Sequence, residues 1–190
     1  MNRLRSSFRT HKTLAAMIAV LVLSAAVVGA ALFQPWRLFT SSSVNEALPA
    51  AEVSAGAAGE GEAAAADPPP TTAPALTAPV ILSSGTFQSQ EHATTGTAQL
   101  LMLPDGSHLL RLDNLASSDG PDVKVWLSGL EAGGDWFKYR SGRYVDLGAI
   151  KATHGNHNYA IPAGTDLEGL TSVVLWCDRF SVAFGSAPLT

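Results

Sequence analysis

The chain has 190 residues, of which 46% are hydrophobic and 15% charged, and its formal net charge is −4. An acidic balance argues against nucleic acid as the partner, because phosphate binding needs a basic face. Alanine-rich stretches near the start raise the hydrophobic share, so the length favours one compact domain over two.

Residues 14–33 are twenty consecutive uncharged and mostly apolar residues. At about 1.5 Å per residue, a helix of this length spans roughly 30 Å, the thickness of the bilayer core. Four bases precede the run and one, Arg37, closely follows it. The positive-inside rule therefore predicts a single-pass anchor with residues 1–13 in the cytoplasm and the rest outside. The alternative is a cleaved signal peptide, since Val28-Gly29-Ala30 offers small residues to a signal peptidase.

Residues 34–79 are predicted to be a linker. From residue 41 on, the segment consists almost wholly of Ala, Gly, Pro, Ser, Thr and Glu, with five acids and no base. Such a composition buries too little apolar surface to offset the cost of ordering the chain. We therefore expect the folded domain to occupy residues 80–190.

That domain alternates apolar and polar residues with period two, and it shows no helical period. A hairpin is predicted for residues 97–103 and 107–113 across the turn residues Pro104-Asp105-Gly106. In residues 123–129, one face of the strand is predicted to pack in the core and the other to be more exposed to solvent. The more exposed face carries Lys124, Trp126 and Ser128. About eight short strands predict an all-β fold, an antiparallel β-sandwich.

Cys177 is the only cysteine of the chain. It ends a β-rich run over residues 171–177, and a second run follows in which Phe180, Val182 and Phe184 share a face. A single cysteine cannot form an internal disulfide. Its thiol is inert packing, a redox centre, or a group that binds metal or haem or pairs with a cysteine of another chain. Asp178 and Arg179 next to it have opposing effects on a thiol, so neither clearly lowers its pKa.

An ordered set of residues across almost the whole domain is similar to the DM-thirteen domain family, sometimes labelled an electron-transfer domain. The set consists of Gly85, Phe87, His92, Gly96, residues 120–128, residues 146–148, Gly155, residues 158–162, Val174, Trp176, Cys177, Phe180, Phe184 and Gly185. With its apolar run, the chain resembles a membrane-anchored bacterial member. The resemblance implies a β-sandwich and a redox role for Cys177.

Histidines supply the other candidate site residues. His92 is the candidate for tuning a redox thiol. His92, His154 and His157 could meet at a metal, but no His or Met follows Cys177, as a blue-copper site would require. We therefore assign no metal and leave any cofactor open.

Residues 131–144 mix aromatic and basic side chains and are predicted to be an exposed loop. Trp136, Phe137, Tyr139 and Arg140 are its candidate contacts with a partner, such as another envelope protein, or with an anionic polymer.

Two functions remain open. The first is a membrane-anchored redox or electron-transfer domain centred on Cys177, with a redox partner outside the cytoplasm. The second is a non-catalytic binding or scaffold module of the cell envelope with a structural, buried cysteine. The sequence contains no complete catalytic set, so a function without enzyme activity is the favoured interpretation.

Overall fold

A computed structural model describes residues 2–49 and 78–190 of the chain. The described residues form two compact units, one containing the N-terminal helix and the other containing ten strands. Residues 50–77, which make up most of the predicted linker, lie outside the described residues.

The N-terminal helix, α1, runs over Asn2–Phe33. The stretch Lys12–Phe33 of this helix has a mean hydropathy of 2.6. Among the residues that the structure describes, α1 is the one helix long and apolar enough to cross a membrane. It is compatible with a single-pass anchor or with a signal sequence. The helix ends because Gln34 takes a left-handed conformation, with φ of 43°, and Pro35 cannot continue the hydrogen-bond ladder.

The second unit is built from strands of two to nine residues. In chain order they are β1 (Ser43–Asn45), β2 (Val80–Thr86), β3 (Gln88–Ser89), β4 (Thr95–Met102), β5 (His108–Ala116), β6 (Val123–Ser128), β7 (Tyr144–Ala149), β8 (His154–Ala160), β9 (Ser172–Cys177) and β10 (Val182–Pro188). A short 3-10 helix lies at Lys138–Ser141.

The strands form two five-stranded sheets. The first has the order β1-β8-β5-β4-β2, and the second has the order β3-β10-β9-β6-β7. All neighbours are antiparallel except β1 and β8, which are parallel. The chain passes from the first sheet to the second at Phe87, between β2 and β3, and this side chain is buried in the core. The predicted antiparallel β-sandwich is confirmed.

The main core lies between the sheets and contains apolar side chains from both. The inward positions of β6 and β9 alternate as period two requires; they are Val123, Val125, Leu127, Val173, Leu175 and Cys177. Burying each large aliphatic side chain stabilises the fold by about 1.5–3 kcal/mol.

The outer face of the second sheet is also buried, which corrects one prediction. Trp126 and Ser128, which were predicted on the more solvent-exposed face of β6, have almost no exposed surface. Trp126 packs with Trp176, Val174, Tyr139 and Ala183 in a second apolar cluster. The chain between β6 and β7 supplies Tyr139 and covers this outer face, so it forms a third layer on the sandwich. The period-two pattern of a strand does not predict such a cover.

The predicted hairpin is confirmed: β4 pairs with β5 in antiparallel register, and Leu103 and Ser107 close the turn. The strand pair around Cys177 is also present as β9 and β10. The prediction that Phe180 shares the core face with Val182 and Phe184 was wrong, because Phe180 lies in the connecting turn and is 44% exposed. Ser181, with φ of 54°, ends that turn and β10 begins only at Val182.

Strand β1 falls inside the segment predicted as linker. Its three residues pair with His154, Gly155 and Asn156 of β8. The division of the rest of the chain into linker and domain stays a prediction.

Candidate functional site

Cys177 is the last residue of β9, a strand that is hydrogen-bonded on both sides. It pairs with Val182 of β10 and Val123 of β6. Because Trp176 faces outward, period two turns the Cys177 side chain inward, and its exposed fraction is 0%. The thiol is therefore an interior group of the sandwich.

Burial raises the pKa of the Cys177 thiol above its usual value, and the nearby carboxylate of Asp122 acts in the same direction. The main-chain N–H groups of Phe180, Arg179 and Asp122 oppose this by pointing at the sulfur, but burial dominates. The thiol therefore keeps its proton at neutral pH. An activated, exposed thiolate has the opposite combination of low pKa and access.

A stack of aromatic rings lies on the outer face of the second sheet, opposite the face that carries the Cys177 side chain. The ring of Trp126 is parallel to that of Tyr144 at 3.9 Å between centroids, and it stacks on Trp176 at 5.0 Å. Tyr144 is exposed, whereas Trp126 and Trp176 are buried. Trp176 precedes Cys177 in the chain, so the stack connects the surface with the residue next to the thiol. The stack was not predicted from the sequence, although a Trp at an outward strand position was its signal.

Asp178 holds one end of this stack in place. Its carboxylate accepts hydrogen bonds from Trp176 Nε1 at 3.0 Å and from Arg140 at 2.5 Å, and it lies 2.7 Å from Lys124 Nζ. Burial alone would raise the pKa of Asp178, but the hydrogen bonds from Lys124 and Arg140 bring it below its usual value. The carboxylate is therefore charged and fixes the orientation of the Trp176 ring.

His92 makes its described contacts away from the thiol. Its Nε2 lies 2.6 Å from a carboxylate oxygen of Glu91, and its ring packs edge-on against Phe184 at 4.0 Å between centroids. None of its hydrogen bonds or ring contacts within the described residues reaches Cys177. A tuning role for His92 stays a prediction.

The three candidate metal-binding histidines have other partners. His154 Nδ1 lies 2.8 Å from Thr153 Oγ1, and His157 Nε2 lies 3.1 Å from the carbonyl oxygen of His154. His157 is fully buried, and its Nδ1 has no hydrogen-bond partner. Across residues 2–49 and 78–190, no group of three or more His, Cys, Asp or Glu side chains is placed to hold a metal ion.

The four candidate binding residues of the loop separate into different environments. Trp136 and Phe137 are 41% and 62% exposed. Tyr139 is buried, with its Oη 2.9 Å from Ser186 Oγ, and Arg140 pairs with Asp178. Only the first two aromatic rings therefore present apolar surface to a partner, and a binding role for the loop stays a prediction.

These observations define a β-sandwich with one buried thiol in its core and an aromatic stack on the outer face of the strand that carries the thiol. The chain belongs to the Electron transfer DM13 family, whose model matches residues 86–189. The match covers β3 to β10 and leaves β1 outside. No curated protein and no solved structure matches the chain.

Proposed function

We propose that the chain is a membrane-tethered electron-transfer domain with Cys177 as its redox centre. The family to which it belongs is described by electron transfer, which supports a redox role. The observation that carries the proposal for this chain is the stack of Tyr144, Trp126 and Trp176, which ends at the residue before Cys177 in β9, on the opposite face of the strand from the thiol.

Burial separates two kinds of redox chemistry. Thiol–disulfide exchange requires an attacking sulfur to touch Sγ, so it depends on access to the thiol. Cys177 has no exposed surface and a raised pKa, both of which disfavour exchange. An electron can instead tunnel between closely packed groups without contact between the reactants. The geometry therefore supports electron transfer over exchange.

In this proposal the thiol is oxidised by one electron, its proton passes to the nearby carboxylate of Asp122, and an acceptor docked over Tyr144 is reduced by one electron. The electron passes through Trp176 and Trp126, whose ring centroids lie 5.0 Å apart. The acceptor is a redox partner outside the cytoplasm. The excess of bases before the apolar run supports this orientation, with α1 as an uncleaved anchor.

The test is an oxidative titration of the full chain in detergent with a strong one-electron acceptor such as hexachloroiridate(IV). The wild type is expected to give up one electron more per chain than Cys177→Ala. Trp126→Phe should give up the same number of electrons more slowly, because it replaces the central indole of the stack by a smaller phenyl ring. Trp136→Phe is the matched control and should change neither number nor rate, since its ring is not part of the stack.

A second candidate function is favoured by the burial of Cys177 in the main core. In that case the thiol is structural, and the domain is a non-catalytic binding or scaffold module of the envelope that uses Trp136 and Phe137. The same titration decides between the two. Equal electron counts for wild type and Cys177→Ala would refute the electron-transfer proposal and leave the binding module.

A further inference from the structure

The edge of β8 carries a short parallel strand from a distant part of the chain. Residues 43–45 pair with residues 154–156 in the one parallel pairing of the described fold. His154 N donates to the carbonyl of Ser42, and Glu46 N donates to that of Asn156, both at 2.9 Å. Addition of an extended segment to an exposed sheet edge is a common way of binding peptides.

Polar groups of the edge recognise the segment at its C-terminal end. The Glu46 carboxylate accepts hydrogen bonds from Lys151 Nζ at 2.7 and 2.8 Å and from Asn158 N at 2.6 Å. Arg111 Nη1 donates to the Glu46 carbonyl at 3.1 Å, and Asn158 Nδ2 donates to that of Ala47 at 2.7 Å. These contacts select a carboxylate at one position of the segment, and charge-assisted hydrogen bonds are the stronger kind.

Thr153 holds the other end. Its Oγ1 accepts from Ser42 N at 2.9 Å and donates to the Ser42 carbonyl at 3.0 Å. Six residues, 42–47, are thus engaged, mostly through main-chain groups that any extended peptide has.

Gly155 gives the edge its shape. Its φ is +105°, and a Cβ built on it would lie 2.0 Å from the carbonyl oxygen of Val44. A side chain at this position would therefore push the added strand away. Gly148, on β7, has a similar φ of +101° but open space around the same position.

The segment contributes little apolar burial. Within β1 only Val44 is half-buried, and Ser43 and Asn45 are exposed. The other strands of the first sheet, β2, β4, β5 and β8, pair over longer stretches. The segment also lies outside the residues matched by the family model. Residues 42–47 are therefore bound to the edge mainly by hydrogen bonds and one ion pair, as a peptide ligand would be.

We propose that the β8 edge is a binding site for an extended peptide that lies parallel to β8 and carries a carboxylate at the Glu46 position. Residues 42–47 are its exchangeable internal occupant. A partner segment with this chemistry displaces them from the edge. This inference does not depend on the electron-transfer proposal.

The experiment uses the full chain in detergent, with a specific protease site inserted after residue 60 and an affinity tag at the N-terminus. After cleavage the N-terminal fragment is immobilised, and release of the C-terminal fragment is measured. The wild-type fragment should stay bound and be released by a synthetic peptide with the sequence of residues 41–48. Release by the same peptide carrying Glu46→Gln should require a roughly tenfold higher peptide concentration, because this peptide loses the ion pair with Lys151.

Matched variants test whether retention of the C-terminal fragment depends on the β8 edge. Gly155→Ala should not retain the C-terminal fragment, whereas Gly148→Ala should retain it like the wild type. Lys151→Ala, which does not alter the backbone, should weaken retention even if Gly155→Ala fails to fold. Retention unchanged in both Gly155→Ala and Lys151→Ala would overturn the site. Immediate separation of the wild-type fragments, or no release by a thousandfold excess of peptide, would overturn the exchange.

Discussion

Labelling of Cys177 by a thiol reagent should be slow in the folded protein. Its side chain has no exposed surface, and β9 is hydrogen-bonded to both β10 and β6. A reagent reaches Sγ only after β9 separates from its neighbours, which requires an opening close to global unfolding. For a domain of this kind that costs about 5 kcal/mol or more. Each 1.4 kcal/mol is a factor of ten, so native labelling should be on the order of 10³–10⁴ times slower than labelling in denaturant.

The assay compares maleimide labelling of the native and the denatured chain between pH 7 and pH 9. A control chain with Cys177→Ala and Phe180→Cys moves the thiol into the adjoining turn, where residue 180 is 44% exposed. That thiol should label within about tenfold of the denatured rate, as expected for an accessible site. Native labelling of Cys177 within tenfold of its denatured rate at pH 7 would refute the reasoning. It would also revive thiol–disulfide exchange as the chemistry of the site.

Two further predictions concern stability. Tyr139→Phe should lower the free energy of unfolding in urea by about 1 kcal/mol, because it removes the hydrogen bond to Ser186, whereas Tyr144→Phe should change it by less than about 0.5 kcal/mol. Burial depresses the pKa of His157, so the unfolded chain binds a proton that the folded chain excludes. The associated stability is complete above about pH 6.5 and falls as the pH drops below it. Thermal melts between pH 5 and pH 8 should show this decline in the wild type and a smaller one in His157→Gln; an equal decline would contradict the assignment.

Much of the fold could be predicted from local pattern. The hairpin between β4 and β5 follows from two alternating runs around Pro104-Asp105-Gly106, because turn chemistry and period two act over a few residues. The apolar run predicted the one described helix that is long enough to cross a membrane. These features depend on neighbours in sequence, so the sequence is enough to find them.

The candidate site was predicted only in part. Cys177 was identified as the one thiol, but its burial depends on which face of β9 meets the first sheet. Tyr139 was assigned to an exposed loop, yet it covers Trp176 because the chain between β6 and β7 folds back over the second sheet. Neither contact has a signal within a few residues of the side chain concerned.

The sequence by itself determined the all-β class, the apolar helix and the single cysteine, since composition and short-range periodicity carry that information. Only the tertiary structure decided that the thiol is an interior group and that an aromatic stack lies on the opposite face of its strand. It also decided that residues 43–45 are a strand. Their composition predicts no order, and the hydrogen bonds that order them come from β8, more than a hundred residues further along the chain.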